Sequence, residues 1–147
     1  EINFPAFDVF LSSDQTGITD QAYNLVKFDS EKFDTDSAFD TTDGQNKFTV
    51  PSGKAGKYVI YGGIEANPNA DNQTEEAIIA IYKNGSIAGV CADMPDSSAG
   101  YPIQVTGIVD MPNTTDYIEI YVRQQGTGTT AYSSGVSVTF GGYKIIE

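Results

Sequence analysis

The segment Lys57-Tyr58-Val59-Ile60-Tyr61-Gly62-Gly63-Ile64 is apolar on both of its faces. Side chains alternate along an extended strand, so Tyr58 and Ile60 occupy one side and Val59 and Tyr61 the other. Ala77-Ile78-Ile79-Ala80-Ile81-Tyr82 repeats the pattern. Near the C-terminal end, Val136, Val138 and Phe140 share one side, with Tyr143 and Ile145 on the other. A strand of an antiparallel sheet ordinarily buries one face and wets the other. Apolar residues on both faces call for a second cover, and a symmetry-related copy of the chain supplies it most economically. A loop folded over the outer face is the competing explanation.

The rest of the chain reads as short strands between turns. The expected strands run over Ala6 to Leu11, Leu25 to Phe28, Lys47 to Val50, Lys57 to Ile64, Ala77 to Tyr82, Ile87 to Ala92, Ile103 to Val109, Tyr117 to Val122 and Val136 to Ile146. Asn84-Gly85 is the strongest two-residue hairpin signal, because a type I′ turn needs positive φ at both central positions. No window sustains a 3.6-residue period, and the one helix-compatible piece, Thr74 to Ala80, turns β-rich at once. Nine or ten strands in 147 residues point to a single all-β domain, a sandwich or jelly roll. The first residue is Glu1 and not methionine, so residues 1–147 are expected to be the C-terminal part of a longer protein.

Charge and composition narrow the function. With 8 basic and 20 acidic residues the net charge is −12, which repels phosphate backbones, so nucleic acid is not expected as a partner, and without a run of 18 apolar residues neither is insertion into a membrane. The chain contains no histidine, which removes the usual general base and the Ser-His and Cys-His pairs. One cysteine, Cys91, allows neither an intrachain disulfide nor a thiolate metal cluster, and between Val90 and Ala92 it reads as a small buried apolar residue. Two carboxylates alone can run a glycosidase, but sequence assigns no such pair. Glu119, between Ile118 and Ile120, is expected to face solvent or a subunit boundary. Arg123, the only arginine, reads as one half of a surface or intersubunit ion pair.

The order of short motifs resembles the globular head of the complement C1q and tumour necrosis factor superfamily. Pro5-Ala6-Phe7 resembles its opening strand, and Leu25-Val26-Lys27-Phe28-Asp29 its Val-x-Phe-Asp segment. Ala38-Phe39-Asp40, Gly44, Lys47-Phe48-Thr49-Val50-Pro51 and Gly56-Lys57-Tyr58-Val59-Ile60-Tyr61 resemble its aromatic-Asp, Thr-Gly, Phe-x-x-Pro and Gly-x-Tyr run. Tyr82-Lys83-Asn84-Gly85 matches its Lys-Asn-Gly turn, and Asp116 to Ile120 its Gly-Asp-x-hydrophobic strand, with Thr115 in place of glycine. Thr139-Phe140-Gly141-Gly142-Tyr143 is similar to its closing Phe-Ser-Gly-Phe motif.

The resemblance implies a ten-stranded antiparallel jelly roll that assembles as a homotrimer, with one sheet facing the threefold axis. It places Val59, Tyr61, Thr139, Tyr143 and Ile145 at the trimer interface, and Tyr58, Ile60 and Phe140 in the intrachain core. The complement members carry a cysteine in the strand here occupied by Phe48-Thr49-Val50, and this chain has none there. No collagen-like repeat is visible, and the acidic, Thr- and Asn-rich composition resembles microbial and phage versions of the head. The expected function is a non-enzymatic trimeric fibre or surface-anchored head, extracellular or on a virion, that binds a host-surface glycan or protein receptor.

Two sets of residues are candidates for binding. Tyr101 in Ala99-Gly100-Tyr101-Pro102 and Tyr132 in Thr130-Ala131-Tyr132-Ser133 stand in turn-like loops, where an aromatic ring gives contact area at low entropic cost. Asp34, Asp36, Asp40 and Asp43 lie within one Asp/Ser/Thr stretch and offer hard oxygens of the kind calcium takes; the spacing is not that of an EF-hand, and solvated turns are the plainer use. These carboxylates support the alternative function, a monomeric calcium-assisted carbohydrate-binding β-sandwich module of a larger enzyme. No other cofactor is expected. Asn72, Asn84 and Asn113 begin sequons that matter only in a eukaryotic secretory setting.

Overall fold

The computed structural model describes residues 4–67, 74–126, 130–132 and 138–145. Among these there are thirteen strands and no helix, as the turn-punctuated sequence leads one to expect. The strands are β1 (Ala6–Phe10), β2 (Gln15–Ile18), β3 (Tyr23–Leu25), β4 (Ser30–Asp34), β5 (Phe39–Asp40), β6 (Lys47–Thr49), β7 (Gly56–Asn67), β8 (Thr74–Lys83), β9 (Ser86–Asp93), β10 (Tyr101–Met111), β11 (Tyr117–Gly126), β12 (Thr130–Tyr132) and β13 (Thr139–Lys144). They form two antiparallel sheets, one of seven strands and one of six. The seven-stranded sheet runs β4-β1-β13-β7-β10, with β12 and β2 continuing from the end of β7. In the six-stranded sheet β5 and β6 lead to β11, then β8 and the edge strand β9, while β3 also pairs with β11.

Alternation explains how the sheets meet. Phe7 and Val9 of β1, Tyr58, Ile60 and Ile64 of β7, and Phe140 of β13 point inward and are fully or almost fully buried. They meet Phe48, Ile79, Ile81, Ile118, Ile120 and Val122 from the other sheet. Phe7 couples the two layers: its ring lies parallel to that of Phe48 at 4.3 Å between centroids and edge-on to Phe140 at 5.1 Å. Burying one such ring is worth roughly 1.5–3 kcal/mol.

The Asn84-Gly85 turn forms as expected, with φ of 50° and 80°, and joins β8 to β9. The strand expected over Leu25 to Phe28 ends earlier, at Leu25: β3 registers with β11 through Tyr23, Asn24 and Leu25, and the Val26 N–H makes one further bond to the Ile120 carbonyl at 2.9 Å. Of the expected C-terminal strand, Val136 and Ile146 lie outside the described residues.

Cys91 corrects the expectation of a buried thiol, for it is exposed. It sits opposite Ile79, but β9 has no paired strand beyond it among the described residues, so its side chain overhangs the core. Glu119 lies on the outer face of its sheet, but its neighbours leave it only 8% exposed.

Candidate functional site

The outer face of the seven-stranded sheet is where the second apolar parity of β7 and β13 emerges. Register sets the residues in rows across the strands. Ala6 of β1 stands opposite Tyr143 of β13, Tyr143 opposite Val59 of β7, and Val59 opposite Ile108 of β10. Tyr143 is 47% exposed and Ile108 66%, so this row is a greasy strip four strands wide. Phe33 of β4, 49% exposed, extends the apolar surface beside Asp8.

The next row is Asp8, Gly141, Tyr61 and Thr106. Gly141 is buried because Tyr61 lies across it; a Cβ at 141 would collide with the Tyr61 ring and with the carbonyl oxygen of Phe7. The Tyr61 hydroxyl, reaching across β13, donates to Asp8 Oδ2 of β1 at 3.0 Å. Thr139 Oγ1 donates to Asp8 Oδ1 at 2.6 Å, and Lys32 Nζ lies 3.2 Å from the same oxygen. Burial, then the hydrogen bond to Asp8, pushes the Tyr61 phenol far above its usual range, so it stays protonated as a donor. The polar row is thereby satisfied within the chain, and the described residues leave the apolar row beside it uncovered.

The five expected interface residues fall on or beside this face. Val59, Tyr61 and Thr139 are partly exposed, Tyr143 is exposed, and Ile145 is partly exposed just past the end of β13. Tyr58, Ile60 and Phe140 are fully buried in the core. Sequence reasoning missed Ile108 and Phe33. The signal for Ile108 was present: alternation through Ile103, Val105 and Val109 turns Ile108 outward.

The other candidates are placed as follows. Tyr101 opens β10 and does not stand in a loop; it is partly buried against the core, and its hydroxyl donates to Asp93. Tyr132 ends β12, paired with Ala66 and Gln15, and its side chain lies outside the described residues. Each of Asp34, Asp36, Asp40 and Asp43 has a local partner. Asp34 accepts the backbone N–H of Asp36 and of Phe39, Asp36 accepts the Thr35 hydroxyl, and Asp40 accepts the N–H of Thr42. Asp43 pairs with Lys27 at 2.8 Å. Among the described residues no three His, Cys, Asp or Glu side chains converge as a metal-binding group. Arg123 pairs with Glu76 of its own chain.

A polar cleft of about 270 Å³ opens at one end of the sandwich, lined by Leu11, Ser13, Asp14, Gln15, Lys27, Asp29, Thr41, Asp43 and Asn46. Its Asp29 carboxylate is taken up by Ser12, through the backbone N–H at 2.8 Å and the hydroxyl at 2.5 Å.

No protein-family model and no curated protein matches the chain. Solved structures do. Murine APRIL, in its pH 5.0 crystal structure, superposes with a TM-score of 0.67 at 10% identity, covering 97% of this chain and 100% of that one. A second structure of murine APRIL, at pH 8.0, gives 0.66 at 12% identity over 97% and 100%. The globular domain of zebrafish complement 1qA gives 0.57 at 15% identity over 99% of both chains. The fold is therefore the jelly-roll sandwich of C1q and tumour necrosis factor-like domains.

Proposed function

We propose that the chain is a non-enzymatic head that assembles as a homotrimer through the outer face of its seven-stranded sheet. The observation that carries this is the uncovered row Ala6, Tyr143, Val59 and Ile108. A threefold ring joins two different surfaces of each subunit, because its contacts are heterologous. The chain offers a second apolar surface at the β9 edge and just beyond, where Ile87 is 49% exposed, Val90 54% and Met94 77%. The hydroxyl network around Asp8 would hold Tyr61 flat, so the face meets its partner already ordered.

The head would cap a fibre or surface-anchored protein outside the cell or on a virion, and present a host-surface receptor with three copies of each loop. Weak single contacts then gain through avidity. The acidic, Thr- and Asn-rich composition supports the phage or microbial setting, and Tyr101 and Tyr132 are the receptor-contact candidates carried by loop-proximal positions.

Size-exclusion chromatography with light scattering tests the assembly. The expected mass is three times 15.8 kDa, and Tyr143→Asp, which alters an exposed residue, is expected to give one-chain particles with an unchanged far-ultraviolet spectrum. Tyr101→Ala is expected to leave the mass at three chains. A one-chain or two-chain mass for the unaltered protein defeats the reading.

A further inference from the structure

The outer face of the six-stranded sheet carries a group of side chains that the assembly reading leaves unused. Tyr23, Tyr82 and Tyr121 come from β3, β8 and β11, three strands brought side by side by pairing. The rings of Tyr82 and Tyr121 lie 4.3 Å apart between centroids, tilted by 35°, and Tyr23 packs edge-on to Tyr82 at 5.7 Å. Ala80, opposite Tyr121 and of the same outward parity as Tyr82, is fully buried, so the rings roof the sheet. Among the described residues none of these three phenol hydroxyls makes a hydrogen bond, and all three rings remain partly exposed.

Glu119 sits in the same patch, directly opposite Tyr82. It is only 8% exposed, yet among the described residues its carboxylate accepts no hydrogen bond. Burial, offset in part by Lys47, holds its pKa above the ordinary 4.5. The residue is mostly covered, yet its oxygens are not among the fully buried unpartnered atoms, so they stand at the surface with acceptor positions open to a ligand.

We propose that this face binds a neutral sugar ring, with the tyrosine cluster against its C–H face and Glu119 accepting hydrogen bonds from its hydroxyls. Three features select that class. Packed aromatic rings give rigid contact area suited to the apolar face of a pyranose. A carboxylate with free acceptor positions matches a pair of neighbouring hydroxyl donors. The local charge is balanced, for Lys47 bears on Glu119 and Arg123 pairs with Glu76, so a cation gains little here. An anionic sugar meets the field of a chain with net charge −12.

The site deepens the glycan-receptor part of the proposed function and rests on it for the setting in which a sugar is met. Its tyrosines and Glu119 lie one strand or more in from the β9 edge that the assembly reading also uses, and the sugar contacts involve none of the β9 residues. The test is titration of the ¹⁵N-labelled full chain with a panel of neutral oligosaccharides, sialylated oligosaccharides and tetramethylammonium. The expected result is shifts of the amides of residues 80–82 and 119–123 with at least one neutral sugar. Glu119→Gln, which keeps shape and removes a poorly solvated charge, is expected to weaken that binding roughly tenfold or more. Tyr121→Ala is expected to remove it. Silence from every neutral sugar, shifts confined to other surfaces, undiminished binding by Glu119→Gln, or a response only to tetramethylammonium or sialylated sugars overturns the site. None of these outcomes alters the mass read by light scattering, so the two readings fail separately.

Discussion

Asp8 and Glu119 are carboxylates on the outer faces of opposite sheets, and their surroundings give them different work. Asp8 accepts two hydroxyl hydrogen bonds and faces Lys32, so it is a fixed point around which Tyr61 and Thr139 are ordered. Glu119 lies beside tyrosine rings with Lys47 near enough to bear on it, and accepts no hydrogen bond among the described residues. The Asp8 arrangement depends on Gly141, over which the Tyr61 ring must pass. Gly141→Ala is expected to cost about 1–3 kcal/mol in urea denaturation, the usual penalty of overpacking. Adding Tyr61→Ala should restore only part of it, since the added Cβ still meets the Phe7 carbonyl at 2.7 Å. Of these residue roles the sequence showed the parity of Val59, Tyr61 and Tyr143, because alternation within one strand is local. It did not show the burial of Glu119 or the exposure of Cys91, which depend on what lies on either side of β11 and β9.

The β8–β9 hairpin shows what an element gains from its neighbours. Its turn residue Asn84 donates from Nδ2 to Asp116 Oδ1 at 2.8 Å and accepts the N–H of Tyr117 at 2.9 Å, which ties the turn to the loop between β10 and β11. The hydrogen bond from Asn84, aided by the Asn113 N–H and by Lys83, holds the Asp116 pKa below its ordinary 3.8. A lowered folded-state pKa contributes stability that is fully present above 3.8 and is lost as pH falls through the folded value. Asp116→Asn is therefore expected to lower the urea midpoint at pH 7, with the gap to the unaltered protein closing on acidification below pH 3.8. A gap that stays constant with pH would assign the loss to shape and not to charge.

Long strands such as β7, β8 and β11 were legible in part because an alternation or apolar run marks Lys57 to Ile64, Ala77 to Tyr82 and Tyr117 to Val122, while their polar ends were not. The short ones, β2, β4, β5 and β12, were not. Ser30-Glu31-Lys32-Phe33-Asp34 has the composition of a loop and is extended because β1 offers it a ladder.

At the scale of the whole molecule the outer faces of the two sheets differ, one carrying the apolar strip proposed for copies of the chain and the other the tyrosine cluster proposed for a sugar. The first was legible from sequence through two-sided strands. The second was not, because Tyr23 and Tyr121 are brought together only by pairing of β3 with β11, long-range in sequence. Association must also overcome repulsion between subunits that each carry −12. Salt screens such a field over about 10 Å at 0.1 M, so the three-chain mass is expected to persist to lower protein concentration in high salt than in low. The opposite trend, with salt dissociating the particle, would mean that ion pairs and not apolar burial hold the subunits.

The β9 rim has a further consequence. Ser86 to Asp93 carries no lysine, no proline and one acid, at the last residue, so none of the usual guards against stray strand addition stands along it. A newly made copy would carry this open backbone ladder until its siblings arrive, and crowding such copies before they have closed into rings would favour end-to-end fibrils over finished particles. For the proposed trimer, correct assembly would then be a race, won by ring closure that outpaces stray strand addition.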